Sequence, residues 1–450
     1  MTVKKRIVKN GIAALFQKGI KVAEQLLLIP FFIHYWGAEY YGEWITLTII
    51  PSFLALSEFG FGTATANSFL IKYAEGEKKA AADIAKTGVR IMTYLVVGAI
   101  VISSGIILLL NTTGVLSHSV LPANEAVFAV IVLLIAKIIG FYQQIFEAYY
   151  RAARRASMSI NFQTIIAGAN ILGGTIVLMS GGKIMAFALV ALCVSVVVYP
   201  LYVFFAIRTL KLNKEVKGEY DKSLVKGLIH IGFGHFLSPI WQAIYYQGST
   251  FVVRIILGPV AVTIFNTVRT LIRSSSQAFA MVIIATYPDF QFELNAGNKP
   301  KAIRIFLHTL GINIIIAIAF SVFILVFGKE FYSLWTGKQL VVESGVWIAF
   351  TASIVFYALW FTFSFIFEAL NKPYTYTLAS LVCAIISIGI SWVLSHQYNL
   401  VGAAIANLCF DIMMCLYLVP KGAKKMESSV TSMLRNSILE LKNTYLIKVK

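Results

Sequence analysis

The sequence predicts an all-α polytopic membrane protein with about twelve transmembrane helices, and three observations carry that expectation. Hydrophobic residues make up 58% of the 450, while charged residues make up 13%, about half of the ~25% usual in soluble domains. A soluble chain of this length would hold roughly two or three domains, and this one has too few polar side chains to clothe their surfaces. The apolar residues gather into runs of ~20, long enough to cross the hydrocarbon. The Lys and Arg residues fall on alternate connections between those runs, as orientation signals do.

The spans fall near 11–35, 43–70, 91–110, 124–149, 159–180, 184–207, 228–257, 261–289, 305–327, 345–370, 375–395 and 401–420. Connections such as Ser180-Gly181-Gly182-Lys183 and Leu257-Gly258-Pro259 are short, so consecutive spans are expected to form helical hairpins. The alternating ~10-residue segments of a barrel are absent. With the N-terminus placed in the cytoplasm, the inner segments carry 29 of the 38 Lys and Arg residues and the outer loops carry 3, namely Lys183, Lys329 and Lys338. The formal charge of +18 is therefore a topology signal rather than a nucleic-acid footprint. The basic start Met1-Thr2-Val3-Lys4-Lys5-Arg6 leads into a full-length span with no small-residue cleavage site, so the first helix is expected to be retained. The expected division is a first lobe over 1–210, a cytoplasmic linker over 211–227, a second lobe over 228–420 and a basic tail over 421–450.

A charge at mid-bilayer is expensive, so each one must face a partner or a cavity. In the first span Gln17, Lys21 and Glu24 share a face, with Lys18 and Gln25 beside it; Lys21 and Glu24 either neutralise each other or line a cavity. The second span holds Pro51, Glu58, Thr63, Thr65 and Asn67; Glu58 is either a proton or cation site or a hydrogen-bonded carboxylate beside the Pro51 break. Lys137 in the fourth span and Asp411 in the twelfth are ion-coupling candidates or members of buried pairs, whereas Glu147 and Glu368 fall near cytoplasmic ends and read as interfacial. The seventh span carries a stripe of His235, Ser238, Trp241, Gln242, Tyr245 and Ser249, with Pro239 expected to kink it and Arg254 to anchor its outer end. The eighth span aligns Asn266, Arg269, Thr270, Arg273 and Gln277 at three- and four-residue spacing. Counted from the turn at 257–261, Arg269 lies ~12 Å deep and Arg273 ~18 Å deep. Each arginine faces either a cavity or an acidic partner on a neighbouring helix.

The aromatics at the first outer turn (Tyr35, Trp36, Tyr40, Tyr41 and Trp44) and Tyr332 with Trp335 are expected as interfacial belts. The tail places Met433, Leu434, Ile438, Leu441 and Tyr445 on one helical face, to lie on the inner leaflet or to fray. Cys193, Cys383, Cys409 and Cys415 all fall inside spans without metal spacing, and no metal or cofactor is expected. No phosphate-binding Gly-x-x-x-x-Gly-Lys-Ser/Thr loop, His-Glu-x-x-His or Gly-x-Ser-x-Gly motif occurs. The longest outer loop, near 328–344, leaves little room for a catalytic domain, so no enzyme is expected.

The hairpin around Gly37 echoes the hairpin around Gly258: a long span, an outer glycine turn, then a polar-speckled span. Six spans separate the two, which predicts two pseudo-repeated six-helix lobes of the same orientation with a substrate path between them near the midplane.

The stretch Leu28-Ile29-Pro30-Phe31 through Tyr40-Tyr41-Gly42-Glu43-Trp44, followed by Leu56-Ser57-Glu58-Phe59-Gly60-Phe61-Gly62-Thr63-Ala64 and Asn67, resembles the opening of Wzx-type polysaccharide flippases. These belong to the multidrug/oligosaccharidyl-lipid/polysaccharide exporter superfamily. Leu257-Gly258-Pro259 and Val268-Arg269-Thr270-Leu271 resemble their second-half hairpin. The resemblance implies two six-helix lobes arranged as a V, with helices one, two, seven and eight lining a central cavity. It implies a bacterial cytoplasmic membrane and an undecaprenyl-pyrophosphate-linked oligosaccharide, such as an O-antigen repeat unit, as cargo. It also implies a polysaccharide polymerase and a chain-length regulator as partners. The family motifs transfer no ligand residue, so the headgroup site rests on the polar stripes: Lys21, Glu24, Gln242, Tyr245, Asn266, Arg269, Arg273 and Gln277, with Glu58, Lys137 and Asp411 for ion coupling. The alternatives are an ion-coupled multidrug or metabolite antiporter of the same superfamily, and a membrane polymerase or acyltransferase.

Overall fold

The computed structural model of the chain describes residues 3–54, 60–112, 120–370, 372 and 374–446. Glu58 lies outside the described residues, as do the side chains of Lys21, Gln25 and His235. Among the described residues there is no strand. The helices are α1 (Val3–Leu54), α2 (Phe61–Ala74), α3 (Lys78–Thr112), α4 (Ala123–Ile139), α5 (Gln143–Ala152), α6 (Ala156–Met179), α7 (Ile184–Leu210), α8 (Leu212–Glu215) and α9 (Lys222–Ala243). They continue with α10 (Ser249–Arg273), α11 (Ser275–Asn295), α12 (Lys299–Trp335), α13 (Ser344–Ala369), α14 (Tyr374–Lys425) and α15 (Val430–Leu446).

Among the described residues, eight stretches are long and apolar enough to cross a membrane. Two of them, Phe236–Tyr287 and Tyr374–Lys425, are 52 residues long and reverse in the middle, so each supplies two crossings. The first leg of α1, and its second leg with α2, complete the twelve that hydropathy predicts. The reversals in α1 and α10 have one physical cause. Gly37 sits at φ 74, ψ 171 and Gly258 at φ 83, ψ −178, a region open essentially only to glycine. The two hairpins that echo each other in sequence thus turn on the same backbone conformation.

The chain forms two compact units, Met1–Ile240 and Trp241–Lys450. In the first, α1 packs on α4 and α6, α7 packs on α4, α5 and α6, and α2 packs on α3 and α5. In the second, α10 packs on α13 and α14, α12 on α11, α13 and α15, and α13 on α14. The basic connection after α7 is fastened to α3. Lys78 pairs with Glu215 at 2.6 Å, Asp83 Oδ1 accepts the Glu219 amide at 2.6 Å, and Thr87 Oγ1 accepts the Asp221 amide at 2.9 Å. A Cβ on Gly218 would stand 2.2 Å from the Ala82 carbonyl oxygen, so only glycine permits this approach.

Two sequence expectations are corrected here. Several belt aromatics are internal fasteners. Trp36 donates its indole N–H to the Gly182 carbonyl at 2.8 Å and meets Phe187 edge-on at 5.6 Å, tying the α1 bend to the turn before α7. Tyr332 is buried and shares a 2.6 Å hydrogen bond with Thr267. An indole or phenol that finds a partner inside the protein has no need of the headgroup layer. The tail residues 430–446 are helical rather than frayed, and Met433 faces protein rather than lipid; Ile438 is exposed, and the side chains of Leu441 and Tyr445 lie outside the described residues. Here α15 packs on α12 with Met433 and Ser437 buried, held by Lys299–Glu427 and Arg304–Glu440 ion pairs.

Gly258→Ala is expected to lower stability by about 1–3 kcal/mol. A Cβ there meets nothing within 4 Å, so the loss is purely conformational. Gly389→Ala, also in open space but within the helical α14, is expected to be neutral or stabilising by up to ~1 kcal/mol. Thermal unfolding of the purified protein in detergent separates the two. Equal losses would refute the turn assignment.

Candidate functional site

Tyr245 and Ser249 of the seventh-span stripe meet Asn266, Arg269 and Arg273 of the eighth in the second unit. The second leg of α10, residues 259–273, turns Asn266, Arg269 and Arg273 inward at helical spacing. Between α9 and α10 lies a single π-helical turn, Ile244–Gly248. Such widened turns leave carbonyls available to side chains and recur at functional sites. Here the Tyr246 carbonyl accepts from Arg269 at 3.2 Å and from the Thr250 hydroxyl at 2.8 Å.

Arg269 is 8% exposed and surrounded by neutral acceptors. Nη1 donates to Ser249 Oγ at 2.8 Å, and Nη2 donates to Thr250 Oγ1 at 2.9 Å and to Asn266 Oδ1. The guanidinium stands 4.9 Å from the Phe265 ring centroid and 5.3 Å from that of Tyr246. Among the described residues no carboxylate pairs with it. Its charge is therefore balanced by oxygen dipoles and ring faces, and its hydrogen bonds bind together the two legs of α10 on either side of Gly258.

Arg273 has the acidic partner that one sequence reading anticipated. Its Nη2 donates to Asp411 Oδ2 at 2.8 Å and to the Tyr245 hydroxyl at 3.1 Å. The guanidinium lies 4.3 Å over the Tyr357 ring. The arginine side chain is 12% exposed and that of Asp411 is 0%. The second carboxylate oxygen, Oδ1, accepts the Trp360 indole N–H at 2.9 Å. Tyr245 donates to Asn407 Oδ1 at 2.5 Å and stacks on Phe410 with centroids 4.0 Å apart.

Counting charges, the network holds two guanidinium cations against one carboxylate. It also has surplus donors. Nε and Nη1 of Arg273, Nε1 of Trp241 and Nδ2 of Asn407 are buried without a hydrogen-bond partner. A buried polar group without a partner is costly, and here every unmet atom is an N–H. The arrangement is chemically suited to receive an acceptor-rich, negatively charged group.

The structure thus brings together Tyr245, Asn266, Arg269, Arg273 and Asp411. Gln242 is exposed on α9, and Gln277 is exposed on α11, beyond the break at Ser274. Lys137 is exposed on α4, and Glu24 is half-buried in α1. Sequence reasoning passed over Asn407, Trp360 and Tyr357. Asn407 precedes Asp411 by four residues, and Tyr357 precedes Trp360 by three, so helical spacing from Asp411 identifies the first. Nothing local to α13 identifies the other two. Among the described residues no group of three His, Cys, Asp or Glu side chains is placed to hold a metal ion.

A second polar constellation lies wholly in the first unit. Thr63 and Asn67 of α2, Gln143, Gln144, Glu147 and Arg151 of α5, and Gln163 of α6 line a cavity of about 330 Å³. The amides of α5 and α6 attract no attention in the sequence because their own helices do not say what faces them.

No protein-family model and no curated protein matches the sequence. Solved structures do match the fold. An inward-facing multidrug resistance MATE family transporter of the MOP superfamily aligns with TM-score 0.73 at 15% identity, over 92% of this chain and 98% of its own. The outward-facing conformation of a MATE transporter aligns with TM-score 0.63 at 16% identity, over 94% and 96%. The lipid II flippase MurJ in an inward closed conformation aligns with TM-score 0.69 at 15% identity, over 98% and 93%. The chain therefore has the all-helical fold of these multi-pass membrane proteins.

Asp411→Asn leaves Arg273 buried without an anion and is expected to destabilise the second unit by about 3–5 kcal/mol. The double variant Arg273→Met/Asp411→Leu removes both charges and is expected to recover most of that loss. Thermal unfolding followed by tryptophan fluorescence reads the cycle. Additive losses would mean that the two side chains are not coupled.

Proposed function

We propose that the protein is a flippase, not an enzyme, in the bacterial cytoplasmic membrane. It carries undecaprenyl-pyrophosphate-linked oligosaccharide repeat units from the inner to the outer leaflet for surface polysaccharide assembly of the O-antigen type. The observation that carries this reading is the buried arginine network, with its excess positive charge and its unmet N–H groups. A diphosphate drawn into an apolar protein needs fixed charge and several donors, because water no longer supplies them. The Nε–Nη1 edge of Arg273 is a fork of the kind that grips phosphate oxygens in pairs. Arg269, engaged on all sides, contributes its field and holds the α10 hairpin in shape. Within the second unit Asn266 holds Arg269, and Tyr245 positions the Arg273 fork.

In this reading the two lobes rock to expose the headgroup on one side and then the other, while the lipid tail stays in the bilayer. The neighbour described as a lipid II flippase handles a lipid-linked cargo on the same fold, which favours this class. Coupling runs through Asp411: protonation of its carboxylate would free Arg273 to turn wholly to the diphosphate. Lys137 and Glu58 are lesser candidates for ion coupling. On the outer side a polymerase and a chain-length regulator would take over the delivered unit. A cationic-drug antiporter is disfavoured because Asp411, the one carboxylate of the network, is already occupied by Arg273.

The test is transbilayer movement of a labelled polyprenyl-diphosphate oligosaccharide in proteoliposomes, scored by enzymatic access from outside. The wild-type protein is expected to accelerate movement over empty vesicles. Arg273→Ala is expected to reduce it by roughly tenfold or more, as the loss of charge-assisted hydrogen bonds implies, whereas Arg254→Ala should retain most of it. Undiminished movement in Arg273→Ala would remove the network from the mechanism.

A further inference from the structure

We propose that the polar cavity of the first unit is a saccharide-binding site that reads the sugar part of the cargo, separately from the arginine network of the second unit. The inference rests on the flippase reading and adds to it the place where glycan specificity is set.

The argument begins from what lines the cavity. Three helices, α2, α5 and α6, contribute Asn67, Gln143, Gln144, Glu147, Arg151 and Gln163 to a space of about 330 Å³, within the ~300–1,000 Å³ range of small-molecule pockets. In a chain with 13% charged residues, so dense a polar lining is not a packing default. Four of the six side chains are primary amides. An amide presents an acceptor and two donors side by side, which matches a hydroxyl that both gives and takes a hydrogen bond.

Some of this lining is already held in place. Gln17 of α1 donates to Gln163 Oε1 at 2.8 Å, and Thr63 donates to Gln144 Oε1. Those bonds fix two amides; Gln163 also donates to Ser159 Oγ at 3.5 Å, while Gln144 keeps its NH2 group for a ligand. Asn67, Gln143 and Arg151 make no side-chain hydrogen bond among the described residues. Glu147 and Arg151 stand one turn apart on α5, yet no ion pair joins them. Their formal charges cancel within the cavity, so its field favours neither an anion nor a cation. The chemistry that remains is recognition of a neutral, hydroxyl-rich group: amides for single hydroxyls, the Glu147 carboxylate and the Arg151 guanidinium for adjacent pairs. A diphosphate would be better served by the second unit. A cationic amine would meet Arg151.

Two measurements test this on the full-length protein in lipid nanodiscs and vesicles. The first is saturation-transfer NMR with a panel of methyl hexosides and methyl N-acetylhexosaminides, which needs no transport. At least one glycoside is expected to show transfer, and Gln144→Leu/Gln163→Leu is expected to reduce it by about tenfold. Because Gln163 also holds Gln17, Asn67→Ala/Glu147→Gln serves as a second variant that leaves that bond intact, with the same loss expected. Absence of transfer from every glycoside, or transfer that survives both variants, overturns the proposal. The second measurement is movement of the labelled oligosaccharide lipid in vesicles. Normal movement in the wild type and in both variants would overturn the saccharide site and leave the flippase reading standing. Glycoside binding lost in the variants, with no lipid movement in the wild type, would uphold the site and refute the flippase reading.

Discussion

A guanidinium enclosed by apolar helices must find every acceptor inside the protein, and much of the second unit is arranged around two of them. Arg269 takes its acceptors from α10 and the π-helical turn before it, without a carboxylate. Arg273 reaches across to α14 for Asp411 and sits over a ring of α13. Desolvating such groups is expensive, so the helices that supply the acceptors are constrained in position and rotation. The π-helical turn, the Tyr245–Asn407 bond and the Trp360–Asp411 bond all follow from that need. The network supplies little net stability for its size. Its worth lies in a fixed positive field with N–H groups left over.

The first unit meets a similar problem with different chemistry. Its polar side chains are mostly amides and hydroxyls, joined in pairs such as Gln17–Gln163 and Thr63–Gln144 and gathered around a cavity. Neutral groups cost less to bury than charges. Each unit carries a glycine-turned hairpin, while the two differ in the character of their polar interiors. In the proposed function, that difference would match a cargo with two chemically distinct parts, one anionic and one hydroxylated.

Hydropathy and charge determined much of this protein by themselves. Runs of ~20 apolar residues have few structural outcomes, so the twelve crossings and their short turns follow from the sequence. Gly37 and Gly258 were legible as turns because only glycine adopts the required backbone. The stripe Asn266–Arg269–Arg273 was legible because helical period fixes which residues share a face.

Partners were not legible. Period says which way a side chain points along its own helix, not what stands opposite. Arg273 and Asp411 are 138 residues apart, and Gln17 and Gln163 are 146 apart. Only the packing of α10 against α14, and of α1 against α6, brought them within hydrogen-bond reach. The same limit hid the amides of α5 and α6, and it made Trp36 and Tyr332 look like lipid anchors when each had a partner within the fold. The sequence determined where the chain crosses and where it cannot avoid burying charge. The tertiary structure decided what answers each charge, because a desolvated group is satisfied by whichever atom helix packing sets about 3 Å away.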